Sequence, residues 1–239
     1  MIVTAQPVLN ELDILEIQFE ELLGKANLHI VVESTKTFTG LDKRLRFLCA
    51  EKRFKKYPIH HVIVDLPDCP SPWDRERLTH QRIAQEVAKF NPDIVLYLDA
   101  DEVVRRDTIE RFEAMNCDTA LLGMRQLGYF FNRELPWVKW DFAKIHRYRE
   151  DRKQPARCDR DFPVIEEAGW HFQNMVGESK DNLMEKLRSF SHAHDPLCQE
   201  FRAKTEAGEL VELCNMVPFH DLPEFVLKNP ERYEPYFIL

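Results

Sequence analysis

The sequence predicts an α/β protein with a mostly parallel sheet, flanking helices and a mixed second half. Three observations predict it. Short β-branched runs recur at 28–32, 61–65 and 93–98, the kind that fill the covered strands of a parallel sheet. Helical periodicity marks 12–22 and 72–90. Beyond about residue 107 the alternation gives way to longer, aromatic-rich segments.

In order, Ile2-Val3 and Pro7-Val8-Leu9 read as a short buried strand ending at Asn10. Leu12, Leu15, Phe19 and Leu22 then share a helical face, and the side-chain oxygen of Asn10 is placed to cap that helix. Leu28 to Val32 is a strand closed by Glu33-Ser34. Thr39-Gly40 marks a loop, and Lys43 to Lys56 is a basic run that reads as a solvated helix face, with attraction of an anionic acceptor such as a phosphorylated glycan as the alternative. His61 to Asp65 is the third strand. Ser71-Pro72-Trp73-Asp74 combines a cap, a proline at the first helical position and a carboxylate in the first turn, so it starts a helix that Asn91-Pro92 stops. Asp93 to Leu98 is the fourth strand and delivers Asp99-Ala100-Asp101-Glu102 into a loop.

In the second half, 119–131 and 138–147 read as longer, partly exposed strands, 152–161 as a charged loop, and 164–172 carries Gly169-Trp170-His171, which reads as a loop-like spot. Ser179 caps a helix with Leu183, Met184, Leu187 and Phe190 on one face, ending near His192 and His194. The proline- and aromatic-rich tail is expected to wrap the surface. No repeat or linker divides residues 1–239, so one domain is expected.

The 239 residues carry 33 Lys+Arg against 41 Asp+Glu, a net charge of -8, which argues against general nucleic-acid binding. No apolar run approaches the roughly 18 residues of a membrane helix and no leader opens the chain, so a cytoplasmic protein is expected. Six cysteines without a CxxC pair (Cys49, Cys69, Cys117, Cys158, Cys198, Cys214) read as reduced thiols.

Parallel sheets bind ligands at the carboxyl ends of their strands. That rule gathers Asn10-Glu11, Glu33-Ser34, Asp65 and Asp99-Asp101 on one rim. Carboxylates at i and i+2 across a tight turn can converge on a hard divalent cation, Mg²⁺ or Mn²⁺, which can bridge and neutralise a departing diphosphate. The same letters, Asp99-Ala100-Asp101-Glu102-Val103, fit the DxDxV nucleophile loop of haloacid-dehalogenase-like phosphatases, although that loop normally follows the first strand and no downstream GDxxxD is present. A catalytically silent glycan-binding protein on the same scaffold is a third reading.

The ordered blocks Asn10 to Ile17, Val31 to Gly40, Trp73 to Arg77, Asp99 to Glu102 and Ala168 to Phe172 resemble glycosyltransferase family 17, the bisecting-GlcNAc transferases and their microbial and viral relatives. The resemblance implies a GT-A-like fold, with 1–107 as the nucleotide-sugar half and 108–239 as the acceptor and catalytic half. It further implies a UDP-sugar donor, GlcNAc above other sugars, a Mn²⁺ or Mg²⁺ ion, a glycan acceptor and inversion at the anomeric carbon. Two departures stand out: the animal enzymes carry a membrane anchor, and relatives continue the acidic loop with Ile-Pro where Val103-Val104 stands here.

On that basis Asn10, Glu11 and Glu33 are candidates for the base and ribose, with a helix cap and a solvated carboxylate as the alternatives for Asn10 and Glu33. Arg82, on the helix before the acidic strand, is the candidate for the pyrophosphate, against a solvated helix face. Asp99 and Asp101 are the metal ligands, completed by His171 or by His192; a histidine at a helix end also reads as a dipole partner. Inversion needs a base for the acceptor hydroxyl, for which Glu167 and then Glu166 are the candidates, an exposed strand end being the alternative. Trp170 reads as a core residue.

Overall fold

The computed structural model describes residues 1–135, 139–151, 155–175, 180–207, 215–216 and 220–237. The first half alternates as expected: β1 (Ile2–Val8), α1 (Leu12–Glu21), β2 (Leu28–Ser34), α2 (Arg46–Ala50), β3 (Ile59–Val64), α3 (Pro72–Ala88) and β4 (Ile94–Tyr97). There follow β5 (Glu102–Val104), α4 (Thr108–Glu113), β6 (Thr119–Gly128), β7 (Arg133–Glu134), β8 (Lys144–Arg147) and β9 (Val164–Gln173). The remaining elements are α5 (Lys180–Ser189), α6 (Pro196–Glu206), β10 (Asn215–Met216) and α7 (Glu224–Lys228).

The strands form one sheet in the order β10-β7-β6-β8-β4-β1-β2-β3, with β9 beside β6 and β5 beside β9. β3, β2, β1 and β4 are mutually parallel. The direction changes at β8, which runs antiparallel to both β4 and β6 and joins the two halves of the sheet. Pro7 lies in β1, which has a neighbour on each side, yet it breaks no ladder bond because the pairing with β4 ends at Ala5↔Tyr97.

Both faces of the parallel part are covered. α3 lays Ile83 and Val87 against Val3, Ala5, Ile30, Val32 and Val95. On the other side α1 packs Leu15 and Phe19 against Val8, Val31, Phe47 and Phe54, and Ile14 and Ile17 against Val103, Trp170 and Phe172. Trp170 is thus a core residue, as its type suggests. α3 begins where its local chemistry says: the Ser71 hydroxyl accepts the Asp74 N–H and Pro72 opens the first turn.

Several local expectations are corrected. Asn10 does not cap α1: its side-chain amide donates to the Asn182 carbonyl and to Glu185, while α1 starts after Glu11 without a side-chain cap. Of the strand expected over 138–147, Val138 lies outside the described residues and β8 is the regular part; before it, the chain meets β6 at the Met124 bridge to Trp140 and where Leu122 N–H donates to the Ala143 carbonyl. Part of the basic run folds as α2 and a following 3₁₀ turn, and it is not simply solvated. Lys43 donates to the Val8 carbonyl, and Arg53 binds Asp13 and Glu16 of α1. The described part of the tail contributes α7 and a 3₁₀ helix over Pro230–Tyr236, and it does not merely wrap the surface: Leu222, Val226, Tyr233 and Tyr236 are buried against Trp170, Phe131 and Phe172. Ser179 and Cys214 lie outside the described residues; the other five cysteines are free thiols. No helix among the described residues is long and apolar enough to cross a membrane.

Candidate active site

β4 ends at the carboxyl rim of the parallel strands, and the chain turns there with Glu102 N–H donating to the Asp99 carbonyl at 3.1 Å. Gln18 of α1 braces the turn from below, its amide donating to the carbonyls of Asp99 (3.2 Å) and Glu102 (2.8 Å). The return strand β5 pairs with β9 in the register Glu102↔His171, Val103↔Trp170 and Val104↔Gly169. Phe172 N–H donates to the Asp101 carbonyl at 2.8 Å. This pairing carries the Ala168-Gly169-Trp170-His171-Phe172 block to the acidic loop. Gly169 permits it, since a Cβ there would overlap the Val103 carbonyl.

Asp101 is almost fully buried (8% exposed). Its Oδ1 lies 3.7 Å from His171 Nε2 and its Oδ2 accepts from Lys186 Nζ at 2.6 Å. Lys186 also binds Glu11 at 3.1 Å, while the other Glu11 oxygen accepts the N–H groups of Leu9 and Asn10. Asp99 binds the Arg157 guanidinium, which also reaches Glu102 at 2.9 Å. Glu102 is wholly buried and accepts from Asp99 N–H and from the Trp140 indole N–H. The Trp140 ring stacks on His171 with centroids 3.7 Å apart.

The electrostatics follow from this crowding. Burial pushes the Asp101 carboxyl up, but the Lys186 ammonium and the His171 ring outweigh it and hold that group well below the carboxylate range. Asp99 goes the other way. Burial drives its carboxyl up, and Arg157 offsets this only in part, because the charges of Glu102 and Asp101 push in the same direction as burial.

Two neighbouring carboxylates, one of them facing an imidazole, suit a divalent cation such as Mn²⁺ in donor type. The Nδ1 of His171 is buried without a hydrogen-bond partner, and the carboxylates Glu11, Asp99, Asp101 and Glu102 are in direct contact with Lys186 and Arg157. The donor set is of the kind a divalent cation takes. It is not a ready-made cage: among the described residues no three histidine, cysteine or acidic side chains are gathered as metal ligands, and the two cations lie on the carboxylates instead.

Beside this cluster, at the end of β1, a cavity of about 340 Å³ is lined by Asn10, Glu11 and Asp13, and by Arg44, Arg46 and Arg53. Asn10 Oδ1 and Arg46 Nε are buried there without partners. Polar edges and arginines are what a nucleoside diphosphate requires.

The structure brings together Asp99, Asp101, His171 and Glu11, with Asn10 adjacent, and separates the rest. Glu33 is fully buried and does not face the rim cavity; it accepts the N–H groups of Phe47 (2.8 Å) and Leu48 (3.1 Å) at the start of α2. Burial raises its carboxyl, but His61 and those two donors outweigh this and lower it. Arg82 is paired with Glu86 further along α3, away from the rim; the buried arginine near the helix start is Arg75, which donates to the carbonyls of Phe38 and Cys69. His192 binds Asp195 at 2.6 Å and packs edge-on to Trp73.

Glu166 and Glu167 are exposed at the other end of the β5–β9 ribbon, Glu167 four residues before His171, about 13 Å along a strand. Glu166 pairs with Lys139. Glu167, at φ 51° in a bulge, lines a different cavity with Arg105, Arg125 and Asp221. Lys186 and Arg157 were not singled out from the sequence, since each lies in a charged stretch that reads as solvated.

Among solved structures the fold is similar to S. aureus TarS 1-349 (11% identity, TM-score 0.41), with 87% of this chain and 72% of that one covered. It is also similar to galactosyltransferase LgtC in complex with donor and acceptor sugar analogs (15% identity, TM-score 0.29), with 53% and 47% covered. A third is a nucleoside-diphosphate-sugar pyrophosphorylase from Vibrio cholerae RC9 (10% identity, TM-score 0.35), with 72% and 91% covered. No curated protein matches the sequence. The model of Glycosyltransferase family 17 matches residues 2–224, which takes in β1, the acidic loop and the β9 block together. The chain belongs to glycosyltransferase family 17.

Proposed function

We propose that this glycosyltransferase moves a sugar, GlcNAc above others, from a UDP-sugar to a hydroxyl of a glycan acceptor, with metal assistance and inversion at the anomeric carbon. The observation that carries the reading is the placement of Asp101 against His171 on the rim, beside an arginine-lined cavity. UDP and GlcNAc are what the family resemblance implies. The family assignment also leaves no role for the phosphatase reading of the acidic loop.

Asp99, Asp101 and His171 would hold the divalent ion, which when bound supplies positive charge to the leaving diphosphate. The chain's own residues do the rest. Gln18 and the β5–β9 pairing fix the backbone of the acidic turn, and so the point from which its carboxylates project. Arg44, Arg46 and Arg53 offer the cavity charge-assisted donors for phosphate oxygens. Trp140 fixes the plane of the His171 ring.

Asp101→Asn tests the reading. UDP release from UDP-GlcNAc with Mn²⁺ is expected to fall by at least a hundredfold, and stabilisation of the protein by UDP with Mn²⁺ to disappear in a thermal-shift assay. Full turnover in a folded Asp101→Asn protein would reject the site, and the anomeric configuration of the product, read by NMR, tests inversion.

A further inference from the structure

Lys186 is the least expected member of the rim. It lies in the middle of α5, is 9% exposed, and binds Asp101 at 2.6 Å and Glu11 at 3.1 Å. A buried ammonium requires anionic partners, and here one partner is a carboxylate that the proposed reaction assigns to a metal ion. The ammonium holds Asp101 Oδ2 while Oδ1 faces His171, so a divalent ion on Oδ1 would stand close to Lys186 across one carboxylate, and their repulsion in a poorly solvated site weakens both.

The attachment of α5 to the rest of the molecule is of a kind that can be undone. Its apolar side chains Leu183, Met184 and Leu187 form a cluster of their own with Tyr129, Phe190 and Cys198, outside the clusters that hold the sheet. Its hold on the rim is polar: Asn10 to the Asn182 carbonyl, Asn10 and Arg46 to Glu185, Lys186 to Asp101 and Glu11, and Thr39 to the Arg188 carbonyl. The same helix borders the arginine-lined cavity through Asn182.

Resting on the metal-assisted reading above, we infer that Lys186 is a displaceable counter-ion: it neutralises Asp101 and Glu11 until a divalent cation takes its place, so that cation entry and release of α5 from the rim are one event. Competition for Asp101 makes Lys186 an antagonist of metal binding, and the coupling is reciprocal: whatever frees α5 tightens the ion, and the ion loosens α5. Once released, the ammonium stands beside the nucleotide cavity, where a diphosphate is the anion that replaces Asp101 as its partner.

The experiment uses MnCl₂ alone with the full chain. Manganese affinity is measured by electron paramagnetic resonance for the wild type, Lys186→Met and Lys186→Arg, and hydrogen exchange of 180–189 is followed in the wild type with and without Mn²⁺. Lys186→Met is expected to bind Mn²⁺ at least tenfold more tightly, Lys186→Arg within about threefold of wild type, and exchange of the α5 amides to rise on Mn²⁺ addition. Equal affinities in wild type and Lys186→Met, or α5 exchange unchanged by bound Mn²⁺, overturn the displacement while leaving the metal site standing. No Mn²⁺ binding to any of the three proteins overturns the metal reading itself and this inference with it. Should Lys186→Met fail to fold, the wild-type exchange measurement decides.

Discussion

His29 is 1% exposed in β2, with Nδ1 2.8 Å from the Thr4 hydroxyl and its ring 4.1 Å from that of Phe19. Burial lowers its pKa from 6.5 to about 3. The folded state therefore excludes a proton that the unfolded chain accepts below about pH 6.5. The His29 contribution is fully present above that value and is lost progressively as the pH falls toward 3. Between pH 7 and pH 5 this amounts to roughly 1–2 kcal/mol. Urea denaturation at the two pH values should show that loss in the wild type and a smaller one in His29→Gln. Gly169 makes a second prediction at this scale. A Cβ there would stand 3.0 Å from Val103 C and Val104 Cα and overlap the Val103 oxygen, all of them backbone atoms that cannot rotate away. Gly169→Ala should lower stability by about 2–3 kcal/mol, read as a fall in Tm, and weaken UDP binding by pushing β5 and its acidic loop off β9.

At the scale of elements, β9 separates two chemistries by its length. Its His171 end meets Asp101, and its Glu167 end meets Arg105, Arg125 and Asp221. Glu167→Gln tests Glu167 as the base: its distance from Asp101 predicts sugar transfer within about threefold of wild type, and a loss comparable to that of Asp101→Asn would make Glu167 the base. The elements legible in the sequence are those whose ends are set by neighbouring residues. Ser71-Pro72 and Asp74 specify the start of α3 without help, and Asn91-Pro92 lies just beyond its end. A helix within Lys43 to Lys56 is legible, but the point where α2 starts is not, because its first N–H groups are satisfied by Glu33, a residue of β2. β5, three residues long, exists only through its pairing with β9, some seventy positions away in the chain.

For the molecule as a whole, the alternation of short apolar runs and amphipathic helices was enough to anticipate the parallel sheet and the rim that carries Asp99 and Asp101. What composition and periodicity do not encode is which charges meet across the fold. Lys186 and Asp101 are 85 residues apart in sequence, and Arg157 and Asp99 are 58 apart. Each cation looks solvated in its own neighbourhood, and only the closed structure makes it a partner of the acidic loop.

The central position of β1 has a consequence for how such a chain is made. β2 and β4 flank it on either side, and β4 is encoded almost ninety residues after β1 ends. On a ribosome the β1–β2 pair would wait, with one row of amides and carbonyls uncovered, from the completion of β2 at Ser34 until β4 emerges at Ile94, about a quarter of the polypeptide. An uncovered strand margin is a template for pairing with a neighbouring chain, so the interval before β4 arrives is the stage at which the nascent protein is most exposed to aggregation.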